Sequence, residues 1–275
     1  MRLSHLGPRG TYTEAAALRF RPGADLLPVP TVIAAIDAVR HGEADAAVCA
    51  MENSLEGSVS IETLDLLIQP DFDLRISGEV TLPIQHALVG APGIDLAAAT
   101  VVYSHPQALA QSRRTLGTLA PLAQPRAALS TAGAIEAAMK EPGTLAVGNE
   151  YAAALYGATV YAQNIGDEHD NTTRFVVLAK EDAARTGDDK TSLAFTTQHD
   201  RPGSLVEVLG LFAQRGLNLT RIESRPTRRQ LGTYVFFLDV QGHHDDPVVI
   251  EALDATRAIT VWLRVLGSYP RWTQG

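Results

Sequence analysis

The sequence predicts an α/β protein in two parts, a larger region of alternating strands and helices and a smaller region with a β-α-β-β-α-β order. Three observations carry that prediction. Strand-like apolar runs alternate with helix-like runs from residue 3 to about residue 178, the pattern of helices covering a largely parallel sheet. KEDAARTGDDK (180–190) is polar, charged and without a hydrophobic period, which makes it the linker. Six elements beyond it follow the split βαβ order. The 275 residues suffice for two domains, and an apolar fraction of 45% can fill their cores.

Taken in order, LSHLG (3–7) reads as a strand ending at Gly7 and Pro8. GTYTEAAALRF (10–20) reads as a helix capped by Thr11 or Thr13, with Glu14 in its first turn. Residues 31–54 give a helix, a tight turn, a strand and a polar loop. SIETLDLLIQ (60–69) places Leu64, Leu67 and Ile68 at helical spacing. Residues 79–93 are strand-like. TVVYSHPQALAQSRRTL (100–116) is strand, polar break and helix, and 127–141 and 143–157 extend the alternation. In the second region, 191–197, 217–224, 233–242 and 260–269 read as strands, and 202–216 and 247–256 as helices. A four-stranded antiparallel sheet with two helices on one face is expected.

The formal net charge of −8 argues against a general nucleic-acid binder. The Arg clusters RRTL (113–116) and RPTRRQ (225–230) are short, and RRTL reads as a solvated face. The single cysteine, Cys49, lies in an apolar run and reads as a buried structural thiol. The N-terminus carries no apolar signal core, and no run reaches eighteen apolar residues, so no membrane partner is expected and the location expected is cytoplasmic.

The first region's strands run into short polar breaks, GPRGTYT (7–13), MENSLEGSVS (51–60), SHPQAL (104–109), STAGA (130–134) and GNEY (148–151). In open α/β sheets such breaks face the ligand crevice, and helix N-termini there offer unpaired N–H groups to an anionic guest. GPRG lacks the dinucleotide-binding spacing, and no phosphate-binding P-loop or metal-ligand spacing is present. His243 and His244 read as a solvated turn rather than a metal site. Ser54 and Ser58 have no nucleophile elbow around them. Glu52 and Glu56 are open between general acid and capping roles, His105 between binding, capping and packing, and Thr173 is an ordinary strand residue when taken alone.

Taken together, GPRGTYTEAA (7–16), ENSLEGSV (52–59), SHPQAL (104–109), NTTRF (171–175), GLNLTRIESRP (216–226) and LGSYP (266–270) resemble the prephenate dehydratase family in their order and spacing. The chain opens directly on the first of these motifs, so it resembles the monofunctional form rather than a fusion to a chorismate mutase. The resemblance implies a two-lobed, periplasmic-binding-protein-like catalytic domain over 1–180, with lobes 1–78 plus 163–178 and 79–162. It implies a ferredoxin-like βαββαβ ACT regulatory domain over 191–275. The implied reaction is decarboxylating dehydration of prephenate to phenylpyruvate in phenylalanine biosynthesis, without a cofactor or metal. The alternatives are an arogenate dehydratase and a non-catalytic two-lobed sensor.

By the same resemblance Thr173 is the catalytic hydroxyl and Arg174 its neighbouring cation, although strand alternation warns that the two side chains need not share a cleft. Thr11, Asn53, Ser54, Gly57, Ser58, His105, Gln107, Ala108, Ser130 and Thr131 are implied substrate contacts, with Phe175 as a packing wall. Gly203, Ser204, Leu205, Asn218, Leu219, Glu223, Ser224, Arg225 and Pro226 are implied to bind L-phenylalanine as an allosteric effector. Pairing of ACT domains implies a homodimer or homotetramer. Two departures stand out: Met51 where the family has Ile before the ENS motif, and GSL (203–205) where it has GAL.

Overall fold

The computed structural model describes residues 1–59, 61–197, 202–227 and 234–273. Arg201 of the RPGSL motif and residues 228–230 of the second Arg cluster lie outside the described residues. The chain forms two compact units, Met1–Ser60 with Val80–Phe175, and Ile61–Glu79 with Val176–Gly275. The division in space therefore differs from a linear cut at 180–190, because 61–79 groups with the C-terminal region.

The chain begins β1 (Arg2–Leu6), α1 (Tyr12–Phe20), β2 (Asp25–Val29), α2 (Val32–Arg40), β3 (Ala46–Asn53) and β4 (Gly57–Ser58). α3 (Ile61–Leu67) and β5 (Arg75–Pro83) follow, then β6 (Ala87–Gly90), β7 (Val101–Ser104), α4 (Pro106–Gln111), α5 (Arg113–Leu119), β8 (Gln124–Ala127), α6 (Thr131–Lys140), β9 (Thr144–Gly148), α7 (Glu150–Tyr156), β10 (Thr159–Ala162) and β11 (Thr172–Ala179). One sheet has the order β2-β1-β3-β11-β5, with β4 paired to β3; the other has the order β10-β6-β9-β7-β8.

The expected largely parallel sheet is thus two mixed sheets. β1 runs parallel to β2 and β3, and β7 to β8 and β9, whereas β6 is antiparallel to β9 and β10. β5 runs to Pro83 and belongs to the first sheet, so the change of sheet falls after residue 83 rather than at 79.

Strand alternation fills both faces of the second sheet. Ala87, Val89 and Ala146 pack with Ala132, Ile135 and Ala152, while Leu88, Leu145 and Val147 pack with Val102, Ala108 and Leu116. Thr11 caps α1, its Oγ1 accepting from Glu14 N at 3.2 Å, and Glu14 reaches back to accept from Gly10 N at 2.6 Å. Asn149 caps α7 and also donates to Gly10 O at 2.9 Å. Gly10 has a φ of +87°, and a Cβ there would lie 2.9 Å from Ala152 Cβ, so glycine is required for α7 to approach this closely.

His5, in the middle of β1, is fully buried. Its Nδ1 lies 3.1 Å from Leu6 O, and Nε2 has no hydrogen-bond partner. The carbonyl can only accept, so the neutral ring carries its proton on Nδ1. Burial lowers its pKa, as it does for His86 and His105. Above the unfolded value of about 6.5 both states are neutral. Below it the unfolded chain takes up a proton that the folded chain resists, so stability falls as pH drops until the folded pKa is reached. Denaturant midpoints are therefore expected to fall between pH 7 and pH 5, and less steeply in His5→Gln. Equal pH slopes in the two proteins would refute a contribution from His5.

The remaining elements are β12 (Asp189–Thr197), α8 (Ser204–Ala213), β13 (Leu219–Pro226), β14 (Tyr234–Gln241), α9 (Pro247–Ile259) and β15 (Thr260–Pro270), the βαββαβ order expected. They form an antiparallel sheet, β13-β14-β12-β15. Leu193, Phe195, Leu238 and Val240 pack under Val208, Phe212, Val249 and Leu253 of the two helices. Segment 61–79 is fastened to residues of this sheet. Asp65 pairs with Arg225 at 2.9 Å, Arg75 donates to Val265 O at 2.7 Å, and Arg264 donates to the carbonyls of Gln69 and Phe72.

Candidate active site

Within the first unit, a cavity of about 190 Å³ is lined by residues of β1, α1, β3, β6's approach, α4, α6 and β11. Thr11, Asn53, His105, Gln107, Ala108, Ser130, Thr131, Thr173 and Phe175 all line it. The lining also includes Leu6, Val59, Ile84 and Leu129, the last almost fully exposed. Among these lining residues there is no Lys, Arg, Asp or Glu. Its polar lining consists of hydroxyls, amides and imidazoles, with the starts of α1 and α6 at its wall.

Four expected site residues are not brought to the cavity. β11 alternates, so Thr173 and Phe175 face the cavity while Arg174 points to the other face, its guanidinium 3.5 Å from the Glu52 carboxylate. Arg174 thus stands away from the cavity that Thr173 lines, as strand alternation allows. Ser54 is a staple: its Oγ donates to Asp170 O at 2.8 Å and accepts from Thr172 N at 3.0 Å. Gly57 makes the turn at φ +78°, and Ser58 pairs opposite Glu52 in β4. These residues hold the 52–59 loop against the start of β11.

The side chains that orient Thr173 include four absent from the expected set. Asn53 Oδ1 accepts from the backbone N–H groups of Leu55 and Glu56 at 3.0 and 3.2 Å, which fixes the direction of its amide. Its Nδ2 then donates to Thr173 Oγ1 at 2.9 Å and to Asn171 Oδ1 at 2.7 Å. Asn171 Nδ2 donates to Gln111 Oε1 at 2.9 Å. Gln111 Nε2 donates to Glu56 Oε1 at 3.2 Å, so Oε1 is the Gln111 atom that faces His86 Nε2 at 3.0 Å. His86 Nδ1 lies 3.0 Å from Tyr12 OH, which also donates to Gln85 O at 2.8 Å.

Burial lowers the pKa of His86 and pushes the Tyr12 phenol far above its ordinary value, so the neutral forms prevail near pH 7. Since Gln111 Oε1 can only accept, neutral His86 carries its proton on Nε2, and the single Tyr12 proton is shared between Gln85 O at 2.8 Å and His86 Nδ1 at 3.0 Å. Asn171 lies within the NTTRF motif, Tyr12 within GPRGTYTEAA, and Gln111 stands two residues past SHPQAL, so proximity to the motifs was a signal for all three. His86 gave none beyond its residue type.

Other expected features separate. Thr11 Oγ1 donates to Leu6 O at 3.0 Å as well as capping α1, so its hydroxyl is committed to the backbone. His105 caps α4 by accepting from Gln107 N at 3.4 Å. His243 is buried, not solvated, and stacks on His244 with ring centroids 4.5 Å apart. His243, His244 and Asp245 place possible metal donors within 4.8 Å of one another, but Nδ1 of His243 accepts from Asp245 N and Nδ1 of His244 meets Ser268 Oγ. The turn has a structural explanation.

The nine expected effector residues do not form one cluster. Gly203, Ser204 and Leu205 start α8. Glu223 and Arg225 stand opposite Phe237 and Val235, on the sheet face away from the helices, where they pair with Arg221 and Asp65. Arg225 and Pro226 line a cavity of about 890 Å³ with Phe237 and Trp262.

Comparison with known proteins fits this geometry. The family model described as prephenate dehydratase matches residues 3–183, and the ACT domain model matches 191–258. A prephenate dehydratase of Mycobacterium tuberculosis is 41% identical over 98% of this chain and 87% of its own length. The crystal structure of an Arthrobacter aurescens prephenate dehydratase in complex with L-Phe superposes with a TM-score of 0.88 at 40% identity, covering 98% of this chain and 90% of that one. A quorum-quenching acylase, GqqA, superposes at 0.85 with 33% identity over 98% of both chains. With its motifs, its two mixed-sheet lobes and its C-terminal βαββαβ sheet, the chain belongs to the prephenate dehydratase family.

Proposed function

We propose that this enzyme converts prephenate to phenylpyruvate, carbon dioxide and water at the cavity containing Thr173. The electron pair of the ring C–carboxylate bond moves into the ring as CO₂ departs. The ring hydroxyl leaves with the pair from its C–O bond and takes up one proton to become water. Electrons balance within the substrate and the ring becomes aromatic, so the chemistry asks the protein for positioning and polarity rather than an electron sink.

The observation that carries this reading is the direction of the Thr173 hydrogen bond. Its Oγ1 accepts from Asn53 Nδ2, which leaves the hydroxyl proton for a donor contact in the cavity. That contact stabilises charge developing on the departing hydroxyl. The substrate's carboxylates are assigned to the N-terminal N–H groups of α1 and α6, with Ser130 and Thr131 at the second. His105, Gln107 and Ala108 form a wall and Phe175 packs beneath the ring. Arg174, with Ser54, Gly57 and Ser58, supports the loop that presents Asn53. The likeness to the acylase gains no support here: Ser130, the serine of the described lining, accepts from Gly133 N at 3.0 Å as the α6 cap.

The division of labour follows the family models, with 3–183 for catalysis and the ACT region for sensing L-phenylalanine. The start of α8 supports the latter: Gly203 stands at φ +90°, a glycine conformation that lets the backbone of GSL come close to a ligand. Leu205, Asn218 and Leu219 complete that region. Glu223, Ser224, Arg225 and Pro226 act in the same response through strand β13. β13 is a sheet edge, and Ile222 on it is half exposed, which supports pairing of two chains into a homodimer or higher oligomer. No described helix is long and apolar enough to cross a membrane; a cytoplasmic location belongs to this reading.

Purified protein incubated with prephenate is expected to form phenylpyruvate above a no-enzyme control, and less when L-phenylalanine is present. Turnover of arogenate but not prephenate would redirect the substrate assignment. No turnover of either by folded protein would overturn the reading.

A further inference from the structure

We propose that His86 is a positioning residue for this reaction, acting through Gln111 to hold the Asn171–Asn53–Thr173 chain in the donor direction that catalysis needs. The inference rests on the prephenate dehydratase reading above and adds a residue that neither the motifs nor the comparisons single out. His86 is buried, and its ring is held edge-on to Tyr12, with centroids 5.8 Å apart at 73°. It is followed directly by β6, so its backbone is fixed by the second sheet.

The chain of bonds has one consistent polarity. The Leu55 and Glu56 N–H groups orient Asn53 at one end, and at the other Tyr12 OH, its one proton shared with Gln85 O, lies 3.0 Å from His86 Nδ1. In between, Gln111 Oε1 receives two donors, His86 Nε2 at 3.0 Å and Asn171 Nδ2 at 2.9 Å. Two donors on one oxygen hold the amide in a single orientation. With the His86 donor gone, the Asn171 donor and the exposed Glu56 contact alone distinguish the two ends of the Gln111 amide, and Oε1 is held by one donor instead of two. A flip would set two NH₂ groups against each other at Asn171, turn that side chain and remove the Asn53 acceptor. Thr173 Oγ1 would then lose the bond that leaves its proton for the substrate.

Glutamine and asparagine separate a donor role from mere packing. The Gln amide nitrogen reaches the place of imidazole Nε2, whereas the Asn amide overlays Nδ1 and falls short of Gln111. His86→Asn is expected to lower kcat by about tenfold to a hundredfold, the scale of a small misplacement of a reacting group, with KM changed less than about threefold. His86→Gln is expected to stay within about fivefold of wild type. In a Gln111→Leu background the further loss from His86→Asn should vanish, because the two residues act in series.

The measurement is steady-state phenylpyruvate formation by the full chain below the lowest melting temperature of the set. Equal losses in Asn and Gln, no loss in Asn, or additive losses with Gln111→Leu would each overturn the proposal while leaving the reaction assignment intact. A wild-type chain inert toward prephenate would overturn both.

Discussion

Replacing Thr173 with valine is expected to lower kcat by about 10²–10³-fold, the usual cost of removing one preorganised donor at a developing anion. KM should change only a few-fold, because the carboxylate sites are elsewhere in the cavity. Valine keeps the branched shape and the strand preference of threonine, so β11 and the packing of Phe175 persist. One Asn53 amide hydrogen loses its acceptor at 2.9 Å, while the other keeps Asn171 Oδ1. Thr173→Ser retains the hydroxyl with more rotational freedom and should recover most of the rate. Circular dichroism and initial rates over a prephenate series check the pair. A valine variant within about threefold of wild-type kcat would remove the hydroxyl from the mechanism.

The site was legible in proportion to how local its determinants are. Thr11, His105 and Ser130 lie at helix starts, and a cap followed by an apolar period marks such positions in any sequence. Thr173 gained meaning only through the family motif, since a strand threonine carries no signal of its own. For Arg174 the motif gives only adjacency to Thr173, and a strand turns alternate side chains to opposite faces. Strand alternation was known in advance, but which face held the cavity was not. Tyr12, His86 and Gln111 were missed for a different reason. Tyr12 and Gln111 lie in or beside motifs, but their bonds join residues 74 and 25 positions apart, and Asn171 meets Gln111 across 60, so nothing local reports the pairing.

The same logic governs the fold. The interior strands and the βαββαβ order were legible from apolar runs. Of the strands not read, β4 is a two-residue pairing with β3, and β2, β8 and β10 are at sheet edges, β8 being exposed at every residue. An edge strand without a buried face has no hydrophobic period to detect. The grouping of 61–79 with the C-terminal region was also invisible, because it depends on side-chain pairs more than 100 residues apart.

One of those pairs gives the largest stability effect expected. Lys190 Nζ lies 2.8 and 2.9 Å from the two carboxylate oxygens of Glu79, and both side chains are largely buried. Trp272 N adds a donor to Oε1 at 3.1 Å. Lys190→Met fills similar volume but strips the carboxylate of its cation, and breaking one side of a buried pair costs about 3–5 kcal/mol. Glu79→Gln combined with Lys190→Met should recover more than half of that loss, because the amide oxygen still accepts from Trp272 and no buried charge remains. Denaturant melts of wild type, both singles and the double variant complete the cycle. A single variant within about 1 kcal/mol of wild type would show that water or another group compensates the carboxylate. If instead the double variant matches wild type, the pair adds little net stability. It then serves to select strand β12 as the partner of segment 61–79, since any other register leaves a buried carboxylate without its cation.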